Sequence, residues 1–132
     1  MGGDEFNLIT RGLNYGWPAV SNGSQYGGSD IPDHAPGDGF EAPAFSWTPV
    51  IAPAGMIFYS GRLFESWTGD AILAGLQSKG LVRVRINGNS ASEVQRIDLG
   101  ERVRDVAQAA DGSIWVLSDG TAGKLYRVTP TF

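Results

Sequence analysis

A repeat constrains this chain more than any other feature. Gly69-Asp70-Ala71-Ile72-Leu73-Ala74 returns 43 residues later as Gly112-Ser113-Ile114-Trp115-Val116-Leu117. Leu81-Val82-Arg83-Val84 returns 44 residues later as Leu125-Tyr126-Arg127-Val128. A period of about 40–50 residues, with about four short strands per unit, is the signature of β-propeller blades. Strands are predicted at 55–60, 70–75, 81–86, 93–99, 103–109, 113–118 and 124–129, and Asn87-Gly88-Asn89 and Asp111-Gly112 read as hairpin turns between them. On this count residues 55–99 form one four-stranded blade and 103–129 supply three strands of the next. The rival fold is a small sandwich of seven strands.

The expected class is all-β, with a loop region at 1–50 and about two blades at 51–132. Nineteen glycines, seven prolines and only 18% charged residues suit a turn-rich β protein rather than a helical bundle. A net charge of −4 argues against nucleic acid, whose binding is dominated by Lys and Arg contacts to phosphate. The absence of cysteine excludes disulfides and thiolate metal sites. No apolar run is long enough for a transmembrane helix, and no signal-peptide pattern occurs, so no membrane span is expected.

Residues 4–18 read as a packed irregular loop, with Leu8-Ile9 buried and a turn at Tyr15-Gly16-Trp17-Pro18. Such a loop needs a scaffold on both sides, because backbone polar groups are not buried without partners. Trp17, Trp67 and Trp115 read as packing residues, and Asp30, Asp33 and Asp38 as solvated turn residues. Arg102 and Arg104 lie two apart on a predicted strand, so both project from one face. Two adjacent guanidiniums repel unless an anion lies between them, and their forked donors suit carboxylates. They read equally as an anion site or as an exposed pair satisfied by Asp105 or Glu101.

Several motifs then occur in one order: Asp4-Glu5-Phe6-Asn7-Leu8-Ile9, Asn14-Tyr15-Gly16-Trp17-Pro18, Ile51-Ala52-Pro53-Ala54-Gly55-Met56, Arg102-Val103-Arg104-Asp105-Val106 and Val116-Leu117-Ser118-Asp119. In this order and spacing the chain resembles the soluble aldose sugar dehydrogenases of the glucose/sorbosone type, which depend on pyrroloquinoline quinone (PQQ). The resemblance covers nearly the whole chain and corresponds to the C-terminal third or so of a family member. Gly2-Gly3-Asp4-Glu5-Phe6 also spells a diguanylate cyclase signature, but the helices of that α/β domain have no counterpart here.

The resemblance implies a partial six-bladed propeller, export to the periplasm or medium, and oxidation of an aldose at the anomeric carbon to a lactone. It places PQQ contacts at Tyr26, at Gly75, Leu76 and Gln77, and at Arg102, Val103 and Arg104. Trp47 would line the same face. A structural Ca2+ would be held by the Glu5 carboxylate and the Tyr15 carbonyl oxygen, in keeping with calcium's preference for oxygen ligands. The family commonly has Lys where Gln77 stands, and Gln offers a neutral hydrogen bond in place of a charge. His34, the only histidine, does not match the family's general base, so no catalytic residue is assigned and little activity is expected of this chain alone. The alternative expectation is a non-catalytic propeller fragment or binding module that self-assembles through exposed blade edges into a homo-oligomer.

Overall fold

The computed structural model describes residues 2–131, and among them every regular element is a β-strand except one 3-10 turn at Glu65–Trp67. The chain forms two compact units: residues up to Ile51 together with Gly88–Ala91, and Ala52–Asn87 together with residues from Ser92 onward.

In the first unit, β1 (Asp4–Phe6) pairs antiparallel with β2 (Phe45–Trp47), aligning Glu5 with Ser46. Between these strands the chain is held by turn chemistry. Asp4 accepts the Ile51 N–H at 2.8 Å, Asn22 donates to Ser46 Oγ at 3.0 Å, and Glu41 N–H bonds the Asn14 carbonyl at 2.8 Å. Trp47 is buried edge-on against Phe45 at 5.1 Å, so it packs the interior and does not line an open face. The loop after β1 corrects two expectations. Leu8 and Ile9 are half to three-quarters exposed rather than buried, and Trp17 is 66% exposed rather than packed.

The second unit carries two sheets. Strands β3 (Pro53–Phe58), β4 (Ala71–Gly75), β5 (Gly80–Asn87) and β6 (Ser90–Asp98) form a four-stranded sheet in chain order. Strands β7 (Val103–Gln108), β8 (Ile114–Ser118) and β9 (Leu125–Val128) form a three-stranded one. This is the partial propeller that the repeat predicts, with one complete blade and three strands of the next. All five residues of β4 are buried, as expected of a central strand covered on both faces. Ile72, Ala74 and Leu81 of one sheet share a core with Val103, Val106, Ile114 and Val116 of the other.

The repeat has an electrostatic counterpart. Arg83 on β5 and Arg127 on β9 occupy equivalent positions, and each reaches an aspartate near the start of the neighbouring strand. Arg83 Nη1 lies 2.7 Å from Asp70 Oδ2, and Arg127 Nη2 lies 2.7 Å from Asp111 Oδ2. Asp70 is buried, and Arg85 completes its shell at 3.0 Å. A buried carboxylate left without such partners would be strongly destabilising.

Candidate functional site

The second unit brings the turn after β4 close to the start of β7 by a short chain of contacts. Gly75, the last residue of β4, pairs with Pro53 across the sheet. Two residues further along β3, Gly55 lies flush against Asp105: a Cβ there would stand 2.0 Å from Asp105 Oδ1 and 3.0 Å from its Cα. Ala74 and Val103, which precede Gly75 and Arg104, belong to the same buried cluster. The backbone positions at 75 and 102–104 are therefore set by core packing.

Within this frame Leu76 is half-buried and its N–H bonds the Ala52 carbonyl at 2.9 Å. Gln77 is exposed at the tip of the turn. The chain returns through Lys79 in the left-handed region (φ 55°) into Gly80. Gly80 permits a close approach to β6, since a Cβ there would meet the Ile97 carbonyl oxygen at 1.9 Å.

Arg102 and Arg104 do converge on one anion, but it is neither Asp105 nor Glu101. Arg102 Nε donates to Asp119 Oδ2 at 3.0 Å, and Arg104 Nη2 donates to Asp119 Oδ1 at 3.0 Å. Asp119 is delivered by the β7–β8 register: Val103 pairs with Ser118, and Asp119 N–H bonds the Arg102 carbonyl at 2.7 Å. The register shifts between Val103 and Asp105, a bulge of the kind that re-aims a side chain. Glu101 instead takes Lys124 at 2.9 Å and the Tyr126 hydroxyl, while Asp105 caps the Val106 N–H at 2.9 Å. The hydrogen bond from Arg102, then that from Arg104, holds the Asp119 carboxyl below the usual aspartate range. Two guanidiniums on one carboxylate leave a net positive charge. Both are about half exposed, so spare N–H donors face solvent. Val103 between them is fully buried, which makes it an anchor for the pair.

In the first unit Tyr26 is 96% exposed, with its ring open, and lines a cleft of about 340 Å³ with Trp17, Pro18, Gln25 and Gly27. Glu5 and Tyr15 sit in the loop system around β1. Tyr15 Oη donates to the Leu8 carbonyl at 2.6 Å and accepts the Thr10 N–H at 2.8 Å, which fixes the 8–15 loop. Glu5 Oε2 accepts from Asn7 Nδ2 at 3.2 Å, and Glu5 Oε1 faces His34 Nε2 at 3.9 Å. Among the described residues no three His, Cys, Asp or Glu side chains converge as a metal cluster. The sequence reading quoted Asp119 and Asn7 within motifs without assigning them a contact, and it gave His34 no role. Asp119 comes opposite Arg102 only through the register shift in β7, which the hairpin turn alone does not reveal.

Comparison with known proteins identifies the architecture. The family model for glucose/sorbosone dehydrogenases matches residues 1–127. The chain belongs to that family. It is 39% identical to the aldose sugar dehydrogenase YliI of Escherichia coli, over 98% of this chain and 36% of that protein. The crystal structure of the soluble aldose sugar dehydrogenase of Escherichia coli, in its apo form, superposes with a TM-score of 0.87 at 37% identity, covering 98% of this chain and 39% of that one. The PQQ-bound aldose sugar dehydrogenase of Streptomyces coelicolor gives a TM-score of 0.62 at 26% identity, covering 96% of this chain and 36% of that one. This glucose/sorbosone dehydrogenase family chain thus spans little more than a third of the relatives it matches. No helix among its described residues is long and apolar enough to cross a membrane.

Proposed function

We propose that this chain contributes one wall of the cofactor site in a periplasmic or secreted quinone-dependent dehydrogenase that oxidises an aldose at its anomeric carbon to a lactone. The observation that carries the reading is the Arg102–Asp119–Arg104 arrangement beside the β4–β5 turn. PQQ bears three carboxylates, and a pre-formed pair of guanidiniums with spare donors fits such an anion. Bound there, PQQ supplies a two-electron acceptor.

This chain's residues bind and orient. Arg102 and Arg104 neutralise carboxylate charge, and Asp119 keeps their forks in register before the ligand arrives. Val103 anchors the pair in the core. Gln77, with the backbone of Gly75 and Leu76, offers neutral hydrogen bonds; in the other unit, taken by itself, the exposed Tyr26 ring is a stacking surface for a flat ring. His34 is not assigned as a base for the sugar hydroxyl, because its side chain is only 6% exposed. The chain by itself is therefore proposed to bind the quinone without turnover.

Glu5 and the Tyr15 carbonyl are the proposed holders of the structural Ca2+. A cation fits this neighbourhood, since Asn7 Oδ1 is buried beside Glu5 without a hydrogen-bond partner among the described residues. An acceptor-only oxygen so placed costs free energy unless a donor or cation meets it.

Titration of the chain with PQQ, followed by cofactor absorbance, tests the reading. Saturable binding is expected, weakened about ten- to a hundredfold by Arg104→Ala, the range for losing a charged hydrogen bond. Absence of saturable binding, or an Arg104→Ala affinity equal to wild type, would overturn it.

A further inference from the structure

Glu101 makes no hydrogen bond to either arginine, yet its bonds close the loop that carries Asp119. It stands directly before Arg102, and its carboxylate crosses to the start of β9, on the far side of β8. There Glu101 Oε1 accepts from Lys124 Nζ at 2.9 Å and from the Tyr126 hydroxyl. Ser118, the last residue of β8, is buried and pairs with Val103. It ties the β8–β9 loop at its base. The Ser118 N–H donates to the Lys124 carbonyl at 2.9 Å, and Ser118 Oγ accepts the Lys124 N–H at 2.8 Å. The next residue is Asp119.

Residues 101 and 102 therefore hold both ends of that loop. The Arg102 carbonyl takes the Asp119 N–H at its start, and the Glu101 carboxylate takes Lys124 and Tyr126 at its end. Between them Gly120 sits at φ 137°, a region that favours glycine, and Gly123 follows. Two glycines give the loop little stiffness of its own, so the place of Asp119 depends on a closed base.

The two partners of Glu101 differ in kind. Lys124 is 61% exposed, and an exposed ion pair contributes little, because water screens it and two long side chains must be ordered. The Tyr126 ring instead packs against the core cluster that holds Val103, Val106 and Val116, and Tyr126 pairs with Val116 across the sheet. Its hydroxyl is a fixed point. Hydrogen bonds from the Tyr126 hydroxyl first, then from Lys124, hold the Glu101 carboxyl below the usual glutamate range. Glu101 is thus an acceptor at neutral pH.

We propose that Glu101 is a positioning residue of the Arg102–Asp119–Arg104 anion site, which it serves by anchoring the Asp119 loop to the Tyr126 hydroxyl. The proposal rests on the reading of that arrangement as the quinone's, and Glu101 itself touches no ligand. Its charge and its clamping act with opposite sign. Removing a negative charge would favour a bound anion and lower a neighbouring carboxyl. Opening the clamp would frees Asp119 from the two guanidiniums, raise its carboxyl and weaken the anion site.

Glu101→Ala, Glu101→Gln and Tyr126→Phe test this against wild type, by carboxyl NMR of Asp119 without ligand and by absorbance titration with PQQ. In Glu101→Ala the Asp119 carboxyl should rise from its lowered position toward the ordinary aspartate value. Quinone binding should weaken about three- to tenfold, the scale of one intramolecular hydrogen bond. Glu101→Gln is uncharged but still accepts from the Tyr126 hydroxyl, so it should restore most of both. Tyr126→Phe keeps the ring in its packing and should reproduce Glu101→Ala, even if the alanine variant folds poorly. An Asp119 carboxyl that stays low in both Glu101→Ala and Tyr126→Phe would overturn the proposal. So would a wild type that binds the quinone no more tightly than these two variants do. If wild type binds no quinone while Asp119 rises in both variants, the clamp stands and the cofactor reading falls.

Discussion

Tyr59 Oη donates to the Gly112 carbonyl oxygen at 2.7 Å and joins the end of the first blade's β3 to the hairpin turn that opens β8 in the next. Tyr59 Oη in turn accepts the Leu63 and Phe64 N–H groups at 3.0 and 3.2 Å. Tyr59 and Gly112 are both buried, so water cannot replace these bonds. Nearby, Arg62 Nη1 bonds the Ala110 carbonyl and Gln108 bonds Ser60, which adds weaker ties between the same segments. Tyr59→Phe keeps the ring's edge contacts with Phe64 and Trp67 but strands three backbone groups. A loss of about 1–3 kcal/mol is expected, read as a lower urea midpoint at unchanged slope. A midpoint equal to wild type would show that the Tyr59 hydroxyl does not tie the blades.

Gly55 tests the close approach that positions the arginine pair. A Cβ at 55 would overlap the Asp105 carboxylate at 2.0 Å and press on its Cα at 3.0 Å, so the carboxylate must turn away and β7 must give slightly. Gly55→Ala should therefore cost about 1–3 kcal/mol by overpacking. It should also weaken PQQ binding more than Tyr59→Phe does, because β7 would shift where Arg104 leaves it. Equal quinone affinity in the two variants would sever the link between this contact and the site.

The two blades were legible because their signals are local and repeated. Hairpin turns at Gly88 and Gly112, apolar runs such as Ala71–Gly75, and the recurring Val-Arg-Val and Tyr-Arg-Val strings locate the blade strands to within three residues. The loop unit was less legible, since turn formers say that a chain bends and not what it buries. Leu8-Ile9 and Trp17 looked like interior residues by composition, yet they are exposed. The arginine pair was visible as a pair, but its partner depended on a bulge in β7 that no residue pattern announces. His34 was visible as the only histidine, but not what surrounds it. The two carboxylates that face it lie 29 residues upstream and four residues downstream of it.

Gln77 stands exposed at the tip of the β4–β5 turn, where the family resemblance leads to the expectation of Lys. Exposure means that a longer, charged side chain fits without repacking. Gln77→Lys should leave stability unchanged and tighten PQQ binding several-fold, since a charge-assisted hydrogen bond is roughly twice as strong as a neutral one. The gain should shrink with added salt, as screening at an exposed site requires. An affinity that is unchanged at low salt would place the turn away from the bound anion.

Asp111 gives the chain a defined acid sensitivity. The Ser113 hydroxyl bonds its Oδ1 at 2.6 Å, the Ser113 N–H bonds the same oxygen at 2.9 Å, and Arg127 bonds Oδ2 at 2.7 Å. Together, with the Ser113 hydroxyl foremost, they lower its carboxyl to about 2. The folded value lies below the unfolded one of about 3.9, so the folded state binds its proton later. The stabilisation is therefore complete above about pH 4, and it is lost as pH falls through the native value near 2. Asp111→Asn removes this contribution, so its stability deficit against wild type should be constant at neutral pH and should narrow below about pH 4. Urea unfolding of both proteins at a series of pH values measures the deficit, and carboxyl NMR of wild type reads the titration directly. An Asp111 carboxyl that titrates near its ordinary value would mean that the Ser113–Asp111–Arg127 clasp is open in solution.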